Sequence, residues 1–203
     1  MEGPDGSGKT TQMALLQALF ERSGLEVVMT REPGGTPIAD RIRALLLDPD
    51  HGEMTARTEA LLYMAARAQH TAELIRPALA RGAVVISDRY TDSTLVYQGI
   101  ARGLQREELI RMNRFATEDL VPDLTLLLDG ATDQLVQRVA SRGNQDRLDL
   151  EGLDFHRRVR EGFLTLAAED PARFCVIDAD RTIELVQADI ESCVTDFLQK
   201  RGR

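Results

Sequence analysis

Lysine is nearly missing from this chain. It occurs at Lys9 and Lys200 only, while arginine occurs 23 times. A guanine-nucleotide switch of the Asn-Lys-x-Asp type is thereby excluded, because no lysine stands in such a segment. A basic excess is missing too. The net charge of −8 excludes a broad nucleic-acid-binding face, so an anionic ligand must be met by local arginines rather than by the field of the whole molecule. Cysteine is scarce. Cys175 and Cys193 lie in apolar patterns and read as small buried residues, not as a disulfide or a metal site. His51, His70 and His156 lack ligand spacing. No apolar run approaches the length of a membrane span, so a cytoplasmic enzyme is expected. No repeat, low-complexity tract or linker divides the chain, so residues 1–203 read as one domain, long enough to bury a core without staples.

What is present begins at once. Gly3-Pro4-Asp5-Gly6-Ser7-Gly8-Lys9-Thr10 fills every fixed position of G-x-x-x-x-G-K-[ST]. The glycines let the backbone turn sharply and aim several N–H groups at one point. Lys9 brings a mobile positive charge for β- and γ-phosphates, and the Thr10 hydroxyl suits Mg²⁺. A helix starting here adds the positive end of its dipole. The pattern predicts a nucleoside triphosphate site, against the plainer reading of a glycine-rich turn before an ordinary helix. Such a loop should hang from the end of a buried strand, yet only Met1 and Glu2 precede it.

Four short apolar, β-branched runs, at 26–30, 83–87, 124–128 and 174–178, read as parallel strands buried on both faces. Helical patterns lie between them, at 9–23, 37–47, 55–81, 105–117, 133–141, 153–170 and 182–199. Leu15, Leu16, Leu19 and Phe20 form the expected apolar side of the first, and Pro77 should bend or break the last turns of the third. Alternating strands and helices predict an α/β domain with right-handed crossovers. In such sheets ligands bind outside the carboxyl ends of the strands.

Polar residues gather at those ends. Asp88 closes an apolar strand, where a second carboxylate would orient Mg²⁺. Arg89 beside it could bridge donor and acceptor phosphates. Arg31 and Glu32 precede Pro33-Gly34-Gly35, a loop able to approach a ligand closely or an ordinary polar turn. Tyr63, Arg67 and His70 share one helix face, suited to clamping a flat base or to a half-buried stripe. Gln98 could pair with a base edge and Tyr97 could abut a sugar. The segment Arg142-Gly143-Asn144-Gln145-Asp146-Arg147 has the composition of a mobile lid, placed at about 142–150, or of a solvated loop.

Taken together these segments resemble the bacterial thymidylate kinases, P-loop nucleoside monophosphate kinases. The match is carried by residues 2–11, Thr30-Arg31-Glu32-Pro33-Gly34-Gly35-Thr36, Ala65-Ala66-Arg67, Asp88-Arg89-Tyr90, Tyr97-Gln98-Gly99, Pro122-Asp123-Leu124-Thr125 and Asp146-Arg147, in the family's order. The resemblance implies a three-layer P-loop fold and transfer of the γ-phosphoryl of Mg-ATP to thymidine 5′-monophosphate. It implies that Gly3, Pro4, Asp5, Gly6, Ser7, Gly8, Lys9, Thr10 and Thr11 hold ATP, with Arg142 near it. Asp5 meets the acceptor's 3′-hydroxyl. Arg31 and Arg89 are phosphate arginines. Thr10, Glu32 and Asp88 organise the metal. Tyr63 stacks on thymine, Arg67, Thr94 and Gln98 read its edge, and Tyr97 crowds the 2′ position. The cradle holds no arginine, so Arg147 in the lid is the expected catalytic one. The family is commonly a homodimer.

One departure stands out. The family's apolar central strand before Glu2 is missing, which should leave two neighbouring strands without partners. A native start upstream, or a poorly folding fragment, is the expectation. Another P-loop kinase for a different nucleoside or monophosphate remains open, as does an inactive nucleotide-binding chain.

Overall fold

Gly8 turns left-handed (φ 90°) to start the first helix, α1 (Lys9–Arg22), and Gly24 (φ 77°) follows its end. The computed structural model describes residues 1–141, 143 and 145–200. Lys9, Gln12, Met13 and Leu16 form the buried stripe of α1, spaced three and four apart. Leu15 stays 38% exposed, so the apolar side is rotated from the one expected.

The chain then runs β1 (Val27–Arg31), α2 (Pro37–Leu47) and α3 (Ala56–His70). Thr36 and Thr55 cap α2 and α3, their hydroxyls accepting from Ala39 N and Thr58 N at 3.4 and 3.2 Å. Helix α3 does not stop before Pro77. It widens into a π-helical turn over Thr71–Ile75 and resumes as α4 (Arg76–Ala80). Proline has no N–H to give, and its ring crowds the carbonyl four residues back, so the wider turn sits immediately before it.

Next come β2 (Val84–Asp88) and α5 (Thr91–Thr94), which passes into a second π turn, Leu95–Ala101. Then follow α6 (Arg106–Thr117), β3 (Thr125–Asp129), α7 (Thr132–Ala140), α8 (Leu153–Glu169), β4 (Phe174–Asp178) and α9 (Ile183–Lys200). Three of the four strands start and end one residue later than their apolar runs. No helix among the described residues is long and apolar enough to cross a membrane.

The strands form two parallel pairs, β1–β2 and β3–β4. Met1 and Glu2 lie between the pairs and stitch them together. The Met1 amine donates to Ser87 O at 2.7 Å and Met1 O accepts from Arg89 N at 2.9 Å. Glu2 N donates to Leu126 O at 2.8 Å and Glu2 O accepts from Leu128 N at 2.9 Å, a parallel bridge to Leu127. The expectation of unpartnered neighbours is therefore corrected at the carboxyl ends of β2 and β3, where two residues do the work of a strand.

Side chains alternate across β3. Leu127 packs with Val96, Phe155, Val159 and Phe163 on one face, while Leu126 and Leu128 pack with Met13, Leu16, Ile177 and Ile190 on the other. Helices thus cover both faces, giving the expected three layers. Burial on both faces holds fully only for β3. On β4 Val176 is 49% exposed, so the near-continuous apolar run misleads there.

The reading of the cysteines is also corrected. Cys175 on β4 and Cys193 on α9 are each only partly buried and are joined as a disulfide, their Cα atoms 6.4 Å apart. A spacing of 18 residues along the chain gave no hint that the strand and the last helix would bring them together.

Candidate active site

The carboxyl ends of β1 and β2, the cradle, α3 and the second π turn border an open cleft with a cavity volume of about 110 Å³. Its lining includes Asp5, Arg31, Glu32, Tyr63, Arg67, Asp88, Arg89, Thr94, Tyr97 and Gln98. Residues far apart in sequence are thus gathered as expected, and each reaches the cleft by an identifiable route.

The cradle packs its backbone directly on α7. A Cβ at Gly6 would come within 2.7 Å of Leu135 O, so only glycine fits there. Lys9 is 6% exposed, and its ammonium donates to Gly3 O and Pro4 O at 3.1 Å each. Burial, with Arg89 adding to it, pulls this ammonium below the ordinary lysine range. Ser7 Oγ is buried with no partner. Thr10 and Thr11 lie on the exposed first turn of α1, as does Gly8 before them.

Arg89 follows β2 in the left-handed region (φ 68°), a conformation rare for a side chain of this size and common at functional positions. Ser87 Oγ bonds Arg89 O at 2.7 Å, and Met1 O receives its N–H. So placed, its guanidinium donates to Asp5 Oδ1 at 2.8 Å and to Ser93 Oγ at 3.2 Å, and lies over the Tyr97 ring at 4.9 Å. Burial works against the cation, but Asp5, Tyr97, Asp88 and Glu2 outweigh it and hold Arg89 above the usual arginine range. Burial alone would raise the Asp5 carboxyl. Arg89 and Lys9 override it and keep Asp5 well below the ordinary aspartate value. Tyr97 OH also donates to Asp5, at 3.2 Å.

Glu32 and Arg67 are buried together. Arg67 Nε donates to Glu32 Oε2 at 2.7 Å, and His70 Nδ1 meets Glu32 Oε1 at 2.9 Å. His70 Nε2 in turn meets Thr30 Oγ1 at 2.6 Å. The close approach requires Gly35, where a Cβ would sit 2.7 Å from the His70 ring. The other nitrogens of Arg67 reach Thr94 Oγ1, Asn113 Oδ1 and Tyr90 O at 2.8, 2.6 and 2.9 Å. Nη1 also lies 3.9 Å from Met64 Sδ, and among the described residues one N–H, on Nη2, is left over. Arg31, by contrast, has a side chain 55% exposed and pairs with Asp40 at 3.3 Å at the rim.

Asp88 ends β2 beside this group. Its Oδ1 is buried without a hydrogen-bond partner among the described residues. An unpaired carboxylate oxygen beside a phosphate cradle is the donor that a hard cation takes. Both oxygens of Glu32, in contrast, already have partners.

Arg147 differs most from its expected place. It is 7% exposed and does not line the cleft. Its Nε donates to Leu46 O at 2.9 Å and its Nη2 to Glu59 Oε2 at 2.5 Å, while its backbone N–H reaches Leu47 O at 3.1 Å. In this arrangement it ties the 145–151 segment to the end of α2 and to α3. Arg142, the other expected lid arginine, lies outside the described residues.

Sequence reasoning passed over Glu2, Arg43, Ser93, Asn113 and Glu59. Glu2 is 2% exposed and accepts from Tyr90 N and Ser93 Oγ at 2.8 and 2.6 Å, anchoring the turn that carries Arg89. Arg43 lines the cleft and donates to Pro33 O at 2.8 Å. Its one signal was a position three residues after Asp40, on the polar side of α2.

Comparison with known proteins agrees with this geometry. The family model described as "Thymidylate kinase" matches residues 1–190. A thymidylate kinase of Pseudomonas fluorescens (strain Pf0-1) is 49% identical over 199 residues, 98% of this chain and 95% of the relative. That of Pelotomaculum thermopropionicum is 50% identical over 207 residues, covering 100% and 96%. The crystal structure of thymidylate kinase from Ehrlichia chaffeensis superposes with a TM-score of 0.78 at 33% identity, covering 95% of each chain. A phosphate cradle opening on an arginine-lined cleft, in a sequence matched from end to end at this level, makes the chain a member of the thymidylate kinase family.

Proposed function

We infer that this chain transfers the γ-phosphoryl group of ATP to thymidine 5′-monophosphate, giving thymidine diphosphate and ADP. One observation carries the reading. Arg31 and Arg89 line a single cleft that borders the cradle at Asp5, so the acceptor that fits already bears a phosphate.

Catalysis here is positioning and charge stabilisation. An oxygen of the acceptor phosphate attacks the γ-phosphorus, and the bond from that phosphorus to the bridging oxygen of ADP breaks. No covalent enzyme intermediate is required. Charge spreads over three equatorial oxygens as this happens. Lys9 in the cradle and Arg89 in the cleft lining supply cations, fixed before the reaction by carbonyls and a carboxylate. Asp5, kept ionised, is suited to accept from the sugar 3′-hydroxyl, and Tyr97 above it narrows the space at the 2′ position. Tyr63 offers the face for the base. Arg67, Thr94 and Gln98 offer its edge hydrogen bonds.

Magnesium fits the residues present. Asp88, with its unpartnered oxygen, and Thr10 on the first turn of α1 are the groups that would hold it. When bound, the ion neutralises negative charge on the β- and γ-phosphate oxygens. Glu32 is better suited to holding Arg67 than to meeting the ion directly. The lid arginine of this reading is Arg142, with Arg147 anchoring the lid's base.

The homodimer implied by the family resemblance is supported by exposed apolar residues on two adjoining helices. Leu61 on α3 is 60% exposed, and Ile110 and Phe115 on α6 are 36% and 88% exposed. Because α3 packs on α6, these apolar groups belong to neighbouring helices, a face a second copy would cover. A cytoplasmic location follows from the need for ATP.

The test is coupled ADP release across a panel of nucleosides and monophosphates. Thymidine monophosphate should give the highest kcat/KM. A nucleoside turned over faster than any monophosphate would overturn the assignment.

A further inference from the structure

Glu59 is a carboxylate that the reaction does not use, 1% exposed on the first turn of α3. Its Oε1 accepts from Gln98 Nε2 at 2.8 Å and, at longer range, from Arg102 Nε at 3.4 Å. Its Oε2 accepts from Arg147 Nη2 at 2.5 Å and from Arg102 Nη2 at 3.3 Å. Burial alone would raise this carboxyl, but Gln98, Arg102 and Arg147 override it and hold Glu59 below the ordinary glutamate range.

An ionised carboxylate accepts hydrogen bonds and donates none. The atom of the Gln98 amide that faces Glu59 must therefore be nitrogen. Turning the amide over would set its oxygen against a carboxylate oxygen in a buried place, two acceptors with nothing between them. Gln98 is itself 1% exposed and lines the cleft. With its nitrogen committed to Glu59, its carbonyl oxygen is the acceptor that remains for a bound base. In the same lining Arg67 keeps one Nη2 N–H without a partner among the described residues, Nε being on Glu32, Nη1 on Thr94, Asn113 and the Met64 sulfur, and the other Nη2 N–H on Tyr90 O.

We propose that Glu59 is a positioning residue that fixes the orientation of the Gln98 amide, so that the site demands a hydrogen-bond donor at N3 of the acceptor pyrimidine. The inference rests on the reading of the cleft as a monophosphate site. Thymine and uracil meet the demand, since N3 carries a proton and C4 a carbonyl oxygen for Arg67. Cytosine fails twice. Its N3 is an acceptor facing the Gln98 oxygen, and its 4-amino group is a donor facing Arg67. A site built to hydrogen-bond a substrate N–H rejects an analogue lacking it strongly, because buried polar groups are left unpaired. Arg147 holds Oε2 and Arg102 spans both oxygens, so the carboxylate is kept from turning with the amide.

The experiment compares kcat/KM for thymidine and deoxycytidine monophosphates in the full-length enzyme, the Glu59→Gln variant and the Arg102→Met variant. A glutamine at 59 presents either oxygen or nitrogen to Gln98 and so frees the amide to turn over. In Glu59→Gln the ratio should narrow by at least about tenfold, through a higher KM for thymidine monophosphate with the KM for ATP unchanged. Arg102→Met removes a cation from both oxygens of Glu59 but leaves the Gln98 donor and Arg147 in place, and should keep the wild-type ratio. Where Glu59→Gln is too unstable to assay, the double variant Glu59→Gln/Arg102→Met removes a cation left unpaired, and the same narrowing is expected in it. A wild-type ratio in a folded Glu59→Gln or double variant overturns the proposal, as does equal narrowing in Arg102→Met. Failure of the wild-type enzyme to use thymidine monophosphate removes the acceptor assignment and this inference together. A preserved ratio in an active variant removes this inference alone.

Discussion

Arg67 and Glu32 meet at 2.7 Å through Nε and Oε2, with 1% and 3% of their side chains exposed. His70 takes the other carboxylate oxygen, so the guanidinium is fixed along one edge while the remainder lines the cleft. An arginine that waits in place loses less side-chain freedom when an anion or base edge arrives.

Breaking this pair should cost both stability and acceptor affinity. Glu32→Gln leaves a buried guanidinium without its counter-charge, a change worth about 3 kcal/mol of stability. Urea unfolding of the variant should show that loss, and its KM for thymidine monophosphate should rise while the KM for ATP holds. Equal increases in both constants would show that the pair serves the fold only.

Asp5 makes the low-pH behaviour predictable in sign. Its folded pKa is depressed below the ordinary 3.8 by Arg89 and Lys9. The stabilisation it contributes is therefore present above pH 3.8 and is lost as pH falls from there towards the folded value. Asp5→Asn should flatten this part of the acid-unfolding curve. A curve of unchanged slope below pH 4 would mean that other carboxylates carry the acid transition.

Arg89→Met should lower kcat by about a thousandfold, the lower end of what a charge-stabilising arginine contributes to phosphoryl transfer. Far-UV circular dichroism should be retained, because the backbone of Arg89 stays bonded through Ser87 Oγ and Met1 O. Arg89→Lys should rescue little, since one ammonium does not reproduce the contacts to Asp5 and Ser93 together. A lysine variant within tenfold of wild type would argue that charge alone suffices.

The two arginines of the lid segment should separate by readout. Arg147→Met removes a buried partner of Glu59 and is expected to lower stability by about 3 kcal/mol. Arg142→Ala should lower kcat, as the lid role proposed for it requires, with a far smaller loss of melting temperature than Arg147→Met. Reversal of the two phenotypes would return Arg147 to the catalytic role the sequence suggested.

Asp88→Asn keeps the shape of the side chain and halves its value as a cation ligand. The Mg²⁺ concentration for half-maximal rate should rise about tenfold, in line with the effect of weakening the groups that organise a metal site. Chelation of Mg²⁺ should abolish turnover of the wild-type enzyme. An unchanged Mg²⁺ requirement would mean that the unpartnered oxygen is satisfied by water alone.

The cradle, the strand runs and the helix patterns were legible because each is written in local chemistry. Gly8 and Gly24 bound α1, Thr36 and Thr55 cap the next two helices, and Leu124 to Leu128 could only be a buried strand. Arg67 and Gln98 were recognisable as cleft residues, but their partners were not. Nothing in the neighbourhood of Glu59 distinguishes it from an exposed acid near a helix start, which is where acids usually lie. Cys175 and Cys193 misled for the same reason, since pairing depends on where α9 lands on β4. Arg147 misled in the opposite sense, because a polar, glycine-bearing loop suggested solvent and the chain instead turns its arginine inward.

The sequence by itself determined that this protein binds phosphate at its amino-terminal loop and is built of strands alternating with helices. Glycine spacing, caps and apolar periods act over a few residues, and backbone sterics enforce them wherever the chain goes. Only the tertiary structure decided which carboxylate holds which arginine, which end of the Gln98 amide meets Glu59, and that Met1 and Glu2 join the two halves of the sheet. Those outcomes depend on burial, which is a property of the packed whole: removing water from Glu32, Glu59 and Arg67 at once is what makes each choose one partner and keep it.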